Sequence, residues 1–249
     1  MVTGDAARVS RTQWWTPGRA DWQVAASFSV GSVCFALGAL PGYASAVGVR
    51  GTNVTFAVGS VFFTLAALVQ FLISFGVLRA DERPRSGAHW RTRVRSVDRP
   101  EWWSGVVQFV GTILFNISTF SALDASLDAA QAQRLVWRPD MFGSIAFLAA
   151  GALAYAGVRR PWWSWNPRDL DWSVATLNMV GSIAFGVSAI AAKAVPGTTD
   201  LRSVALMNLG TFVGAICFMA GAVLLVPDEE EHDVGPGSPA DARSSPGAG

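Results

Sequence analysis

The sequence is poor in the residues from which most catalytic and metal sites are built. It has only two cysteines and two histidines, and charged residues make up 15% of its 249 positions. Two cysteines cannot form a disulfide scaffold, and a formal net charge of +1 is typical of neither a disordered chain nor a nucleic-acid-binding protein. His89 and His232 have no partners at metal-ligand spacing, and the sequence contains no Walker loop, no GxSxG and no HExxH motif. We therefore predict no enzyme activity, no cofactor, no metal site and no nucleic-acid partner.

The few charges are unevenly spaced, so that long uncharged runs lie between short clusters of arginine. A membrane core about 30 Å thick is crossed by roughly 20 apolar residues in a helix. Soluble helices rarely lack charge on every face over this length, because one face must meet water. The pattern predicts an all-α integral membrane bundle of six transmembrane helices, over residues 22–42, 51–78, 102–123, 141–158, 172–192 and 203–226.

The basic residues predict the orientation of these helices, because lysine and arginine favour the cytoplasmic side. The N-terminal segment, the second and fourth loops and the tail carry 14 of them, against 5 on the other side. We therefore expect a multipass protein of the plasma membrane with both termini in the cytoplasm. A cleaved signal peptide is the alternative for the first run, since arginines precede it and Ala44-Ser45-Ala46 follow it.

The runs contain an internal repeat. Each odd-numbered run begins with an acidic residue and Trp, and a Val-Gly-[Ser/Thr]-x-x-Phe motif follows at one fixed spacing. The even-numbered runs carry Gly-[Ser/Thr]-x-x-Phe, with Gly in place of Phe in the sixth. Gly and Phe four residues apart share a helical face, so each motif offers a notch and a knob for close packing in lipid. The predicted packing residues are Gly31, Ser32, Phe35, Gly59, Ser60, Phe63, Gly111, Thr112, Phe115, Gly143, Ser144, Phe147, Gly181, Ser182, Phe185, Gly210, Thr211 and Gly214.

The repeat divides the chain into three tandem two-helix hairpins, which we expect to surround a pseudo-three-fold axis. The predicted segments are a cytoplasmic N-terminal segment (1–20), hairpins over 21–78, 101–158 and 171–226, a basic loop (79–100), a Trp- and Arg-rich loop (159–170) and a disordered tail (227–249). The sixth run, with Gly210-x-x-x-Gly214, either closes the bundle or forms a dimer seam.

Hairpins with Gly-Ser-x-x-Phe in both helices, as in Gly31 to Phe35 and Gly59 to Phe63, resemble the YrhK-like family of small bacterial membrane domains. The resemblance implies a membrane domain without an assigned activity, in the bacterial inner membrane. It brings no catalytic residues.

Several polar groups are candidates for function. The basic loop either only sets the topology or binds anionic lipid, and the candidate lipid-binding residues are Arg83, Arg85, Arg91, Arg93 and Arg95. Asp124 and Asp128 form an i, i+4 pair that is interpreted as a solvated helix end, with acid–base chemistry or cation entry as the alternative. Inside the spans we expect cross-helix hydrogen bonding from Gln108, Asn116, Asn178 and Asn208, and plain packing from Cys34 and Cys217.

Two functions lead the predictions, and a membrane enzyme ranks third. The leading prediction is a non-enzymatic multipass membrane protein with a structural role or with membrane lipids or a protein as partners, and homo-oligomerisation is left open. The alternative is a small-solute channel or transporter, which internal repeats around an axis favour. No ionisable residue is predicted deep in a span, which counts against proton coupling. A tight central plug of phenylalanine would favour the first function.

Overall fold

The structure, a computed structural model, describes residues 18–75, 100–158, 167–194 and 201–225. These residues are helical apart from short connections, and they contain no strand beyond an isolated antiparallel bridge between Ala194 and Leu201. The helices are α1 (Ala20–Ala39), α2 (Tyr43–Ser74), α3 (Pro100–Ser121), α4 (Ala129–Ala132), a π-helical turn (Gln133–Trp137), α5 (Arg138–Val158), α6 (Leu170–Ala191) and α7 (Val204–Leu224). With α4 to α5 counted as one continuous segment, six helices are long and apolar enough to cross a membrane.

The helical segment of the second span begins at Tyr43, before the predicted start at position 51, but it is broken at Gly48. Leu40 leaves the helical conformation because Pro41 follows it, and Gly42 turns the chain with φ 85°, a conformation that favours glycine. A helical turn then forms from Tyr43 onward. Gly48, with φ 76° and ψ 167°, is non-helical and kinks the chain, so the regular helix resumes only after it, close to the predicted start.

The fourth membrane helix also begins before its predicted start at position 141. The backbone N–H of Gln131 donates to the Asp128 carboxylate at 2.8 Å, and that of Asp128 donates to the Gln131 side chain at 2.9 Å, so a capping box starts the helix. Pro139 has no N–H for the carbonyl four residues before it, and the turn Gln133–Trp137 is π-helical. This wider turn absorbs the missing hydrogen bond, so the helix continues through the proline.

The membrane helices contact one another in a closed ring. Consecutive spans pack together in the order α1, α2, α3, α5, α6 and α7, and α1 also packs against α7. The last helix therefore closes the bundle, which was one of the two roles predicted for it.

The ring is packed with small residues and phenylalanine inside and large aliphatic residues outside. Val33, Ile113 and Ile183, which occupy one position of the repeat, are 44%, 41% and 50% exposed. The phenylalanines two residues later are each 5% exposed. Hydrocarbon chains solvate an aliphatic exterior, so helices in lipid associate by close packing of small residues instead of by hydrophobic burial. This distribution and the six long apolar helices describe a multipass membrane protein.

Candidate functional site

Six phenylalanine side chains, one from each membrane helix, meet at the centre of the ring. We call this cluster the Phe plug; its members are Phe35, Phe63, Phe115, Phe147, Phe185 and Phe218. Ring centroids within a hairpin are 5.0 Å to 5.7 Å apart, in the range of favourable aromatic pairs. The void that the six rings enclose has a volume of about 10 Å³. This is about the lower limit for one water molecule, and the rings offer water no hydrogen-bond partner.

The rings lie in two layers. Phe35, Phe115 and Phe185, from the first helix of each hairpin, have centroids 5.9 Å to 6.2 Å from one another. Phe218 lies 5.9 Å from Phe63 and 5.8 Å from Phe147 in the other layer. The first layer faces what we call the turn side, where α1 meets α2, α3 meets α4 and α6 meets α7. The second layer faces the opposite side, which we call the terminal side.

The motif glycines make room for the plug, as the sequence predicted. A Cβ atom on Gly59 would lie 2.8 Å from the ring of Phe35, and one on Gly143 would lie 2.8 Å from the ring of Phe115. The contacts are reciprocal within each hairpin, because Gly31 faces Phe63, Gly111 faces Phe147, Gly181 faces Phe218 and Gly214 faces Phe185. Each glycine therefore seats the phenylalanine of its partner helix.

The sixth motif was predicted one helical turn out of register. The glycine and the phenylalanine of this motif are Gly214 and Phe218, and Ala215 takes the place of the Ser or Thr. Ala215 is fully buried like the hydroxyl residues it replaces, so a small side chain is what the position requires. Gly210 and Thr211 still pack between helices, since a Cβ on Gly210 would lie 2.7 Å from the carbonyl oxygen of Ala184.

The Ser and Thr residues of the motif are buried without forming a polar path. Ser32, Ser60, Thr112, Ser144 and Ser182 are at most 1% exposed. Thr112 donates to the carbonyl of Phe109 at 2.7 Å, and Ser182 donates to that of Asn178 at 2.7 Å. Ser60 and Ser144 instead reach neighbouring helices, and the Ser32 hydroxyl has no hydrogen-bond partner in the described residues. The five residues therefore share a small buried side chain but no common hydrogen-bonding role.

Asn116 joins two hairpins by hydrogen bonds, as predicted for it. Ser60 on α2 donates to its side-chain oxygen at 2.7 Å, and its amide group donates to Thr64. Thr119 shares a further hydrogen bond of 2.8 Å with Ser60. This polar contact holds α2 against α3 inside the membrane.

The other predicted polar and thiol groups have simpler surroundings. Within the described part of the chain, Gln108, Asn178 and Asn208 form no cross-helix side-chain hydrogen bond, so that expectation is confirmed for Asn116 alone. Cys34 and Cys217 are free thiols that pack beside the seats at Gly59 and Gly181. Both cysteines are packing residues, as expected.

Asp124 and Asp128 are exposed and bound to their own loop, which agrees with a solvated helix end. Asp124 accepts hydrogen bonds from the hydroxyl of Ser126 at 2.6 Å and from its backbone N–H at 2.9 Å. These bonds hold the pKa of Asp124 below its ordinary value. Asp128 caps α4. No group of three metal-ligating side chains forms within the described ranges.

The acidic residues that precede the first Trp of α1 and of α6, Asp21 and Asp171, lie in the first helical turn. The cap of α6 is Asp169, which lies two residues before the acidic residue of the repeat and accepts from the backbone N–H groups of Asp171 and Trp172 at 3.0 Å and 3.3 Å. Helix α1 has Arg19 at its cap position and Asp21 in its first turn. The side chain of Glu101 lies outside the described residues. The same holds for most of the N-terminal segment, most of the loops 79–100 and 159–170 and nearly all of the tail, and with them for Arg83, Arg85, His89, Arg91, Arg93, Arg95 and His232.

Polar side chains flank the Phe plug on both sides. The position three residues before each motif glycine lies on the same helical face as that glycine. On the terminal side this position holds Gln108 and Asn178, and on the turn side it holds Asp140 and Thr211. Asp140 lies just before the span predicted over 141–158, although its spacing to Gly143 places it on the same helical face as that glycine.

Comparisons of the chain with family models, with curated proteins and with solved structures give no match. The Phe plug and its flanking layers are therefore the features from which function is inferred.

Proposed function

We propose that this protein is a non-enzymatic multipass membrane protein whose closed helix bundle acts as a structural unit or as a binding partner for lipid or protein. The Phe plug carries this proposal. Six buried rings fill the centre of the ring of helices and leave about 10 Å³ between them. An apolar constriction of this size excludes water and hydrated ions.

The proposal includes three hairpins arranged about a pseudo-three-fold axis. Its support is that the Gly and Phe contacts are reciprocal within each of the three hairpins and that the six helices pack in a closed ring. The proposal also includes a relation to the YrhK-like family, which the Gly-[Ser/Thr]-x-x-Phe motif of the hairpins supports. The excess of arginine in the N-terminal segment, the loops 79–100 and 159–170 and the tail supports cytoplasmic termini in the plasma membrane. Anionic lipid bound by the loop 79–100 belongs to the same proposal.

Solute flux into liposomes tests the proposed function. Wild-type protein is expected to admit neither water-sized solutes nor ions above the rate of empty liposomes. The double variant Phe115→Ala/Phe185→Ala removes two rings whose centroids are 5.9 Å apart and should make the liposomes leak. Phe120→Ala removes a 51% exposed ring from α3 and is the matched control, which should remain tight. Flux through the wild-type protein would contradict the structural role.

The second candidate is a conduit that the Phe plug closes at rest. The observation that favours it is the pair of polar layers, with Asp140 and Thr211 on the turn side and Gln108 and Asn178 on the terminal side. Planar-bilayer recording under voltage or membrane tension tests it. Discrete conductance steps that become more frequent in Phe115→Ala would support the conduit, and a silent wild type with a leaky double variant would support the structural role.

A further inference from the structure

Asp140 is a carboxylate inside the fourth membrane helix, on the face that carries the Phe plug. It precedes Gly143 by three residues and Phe147 by seven, and both of these are buried. Asp140 itself is only partly exposed. Within the part of the chain that the structure describes, it forms neither a hydrogen bond nor an ion pair. An ionisable group in a membrane span is costly and commonly marks a functional site.

The corresponding contacts in the other hairpins show which side chains share the level of Asp140. In the third hairpin the equivalent residue is Thr211, whose hydroxyl shares a hydrogen bond of 2.8 Å with that of Ser188 on α6, and Ser188 also donates to the carbonyl of Met207 at 2.8 Å. In the first hairpin the equivalent is Phe56, whose ring would lie 2.7 Å from a Cβ on Gly38.

By the same register, Asp140 lies opposite Ser118 of α3. The register places these six positions in one layer on the turn side. At about 1.5 Å of rise per residue, those on the second helix of each hairpin lie roughly 4.5 Å from their motif glycines, and those on the first helix lie roughly 10.5 Å from theirs.

The floor of this layer is apolar and closed. The ring of Phe56 lies 5.4 Å from that of Phe35, so the layer rests directly on the turn-side rings of the Phe plug. A ligand that reaches Asp140 from the turn side therefore meets a dead end. The layer has the form of a binding site instead of a path.

The nearby basic groups do not neutralise Asp140. Lys193 places its ammonium group 5.3 Å from the centre of the Trp137 ring, in a cation–π contact. Arg138 is exposed, at a helix position two residues before Asp140 and therefore on another face. A single negative charge with hydroxyl oxygens at the same level suits a hard monovalent cation, whereas a divalent ion would need more carboxylates.

We infer that Asp140, with the hydroxyl groups of Ser188 and Thr211, binds a small alkali cation that enters from the turn side. This cation site is a binding function separate from the Phe plug, which does not itself require a ligand. This inference does not depend on whether the bundle conducts, because binding and flux are measured separately.

Thermal unfolding of the purified full chain in detergent tests the site. The protein is melted in NaCl and in N-methylglucamine chloride at equal ionic strength and pH. At a sodium concentration about ten times the Kd, binding should raise the wild-type Tm by about 3 °C to about 6 °C. Asp140→Asn should lose this rise. Asp124→Asn and Asp128→Asn remove carboxylates on the same side of the bundle and should keep it.

If Asp140→Asn does not fold, Thr211→Val replaces it as the test, because it keeps the charge of Asp140 and removes one hydroxyl. The rise in Tm that sodium causes in Thr211→Val should be smaller than in the wild type. Equal wild-type melting in both salts would overturn the site. A Tm that follows pH but not sodium would mean that Asp140 is simply protonated, and it too would overturn the site. A full sodium response in Asp140→Asn, or in Thr211→Val where that variant replaces it, would place the bound cation elsewhere.

Discussion

The seat that Gly143 provides for Phe115 allows a direct test of the packing. A Cβ atom on Gly143 would lie 2.8 Å and 2.9 Å from two ring atoms of Phe115 and 3.2 Å from the carbonyl oxygen of Gly111. Separations below 3.0 Å require something to move. The ring of Phe115 has little freedom to do so, because it also contacts Phe147 at 5.0 Å and Phe185 at 5.9 Å between centroids.

The magnitude follows from a matched pair of alanine variants. Overpacking of a tight contact costs about 1 to 3 kcal/mol, while replacing Gly with Ala inside a helix gains about 1 kcal/mol. Gly105→Ala is the control, because its nearest neighbour is the Ser74 hydroxyl oxygen at 3.5 Å, an ordinary contact. The difference between Gly143→Ala and Gly105→Ala cancels the helix propensity and leaves the cost of the clash. For a chain of this size the difference in Tm is about 2 °C to about 12 °C.

Differential scanning fluorimetry of the detergent-purified variants measures this difference. Gly111→Ala should fall between the two, since its nearest neighbours would be at 3.2 Å and 3.3 Å. Adding Phe115→Leu to Gly143→Ala should recover part of the loss, and a double-mutant cycle reports the coupling. If Gly143→Ala melts at or above Gly105→Ala, the ring is loosely seated and the packing described for the Phe plug is wrong.

Three further predictions concern the rest of the bundle. Asn116→Leu should cost about 1 to 2 kcal/mol by removing the hydrogen bonds between α2 and α3, measured as a lower Tm, whereas Asn208→Leu should cost less because Asn208 has no such bond in the described residues. Asp124→Asn should leave the Tm nearly unchanged, because the group is exposed, and Ser126→Ala should raise the pKa of Asp124 toward its ordinary value in an NMR titration. The stabilising effect of the ionised Asp124 carboxylate is present at neutral pH and is lost as the pH falls through the lowered pKa of this group. Reporter fusions after Gly42 and after Ser126 should give an external signal, and a cytoplasmic signal at either would reverse the proposed orientation.

The sequence by itself determined the membrane class and most of the packing residues. Uncharged runs of about 20 residues have few alternatives to a membrane helix, because a soluble helix of that length needs a polar face. Five of the six Gly and Phe pairs could be read from spacing alone, since residues four apart share a face in any helix. The sixth was misplaced because Ala215 provides the small side chain without the hydroxyl that defined the pattern.

The tertiary structure decided what spacing cannot encode. Pro139 suggests a helix boundary locally, yet the helix continues through it, because the π-helical turn Gln133–Trp137 absorbs the missing hydrogen bond. The meeting of six phenylalanines depends on contact between the first helix and the last, which are far apart in sequence. The placement of Asp140 beside the Phe plug likewise depends on where α5 begins. Local periodicity assigns each residue to a face of its helix, whereas only the packing of the six helices into a closed ring determines which faces meet at the centre.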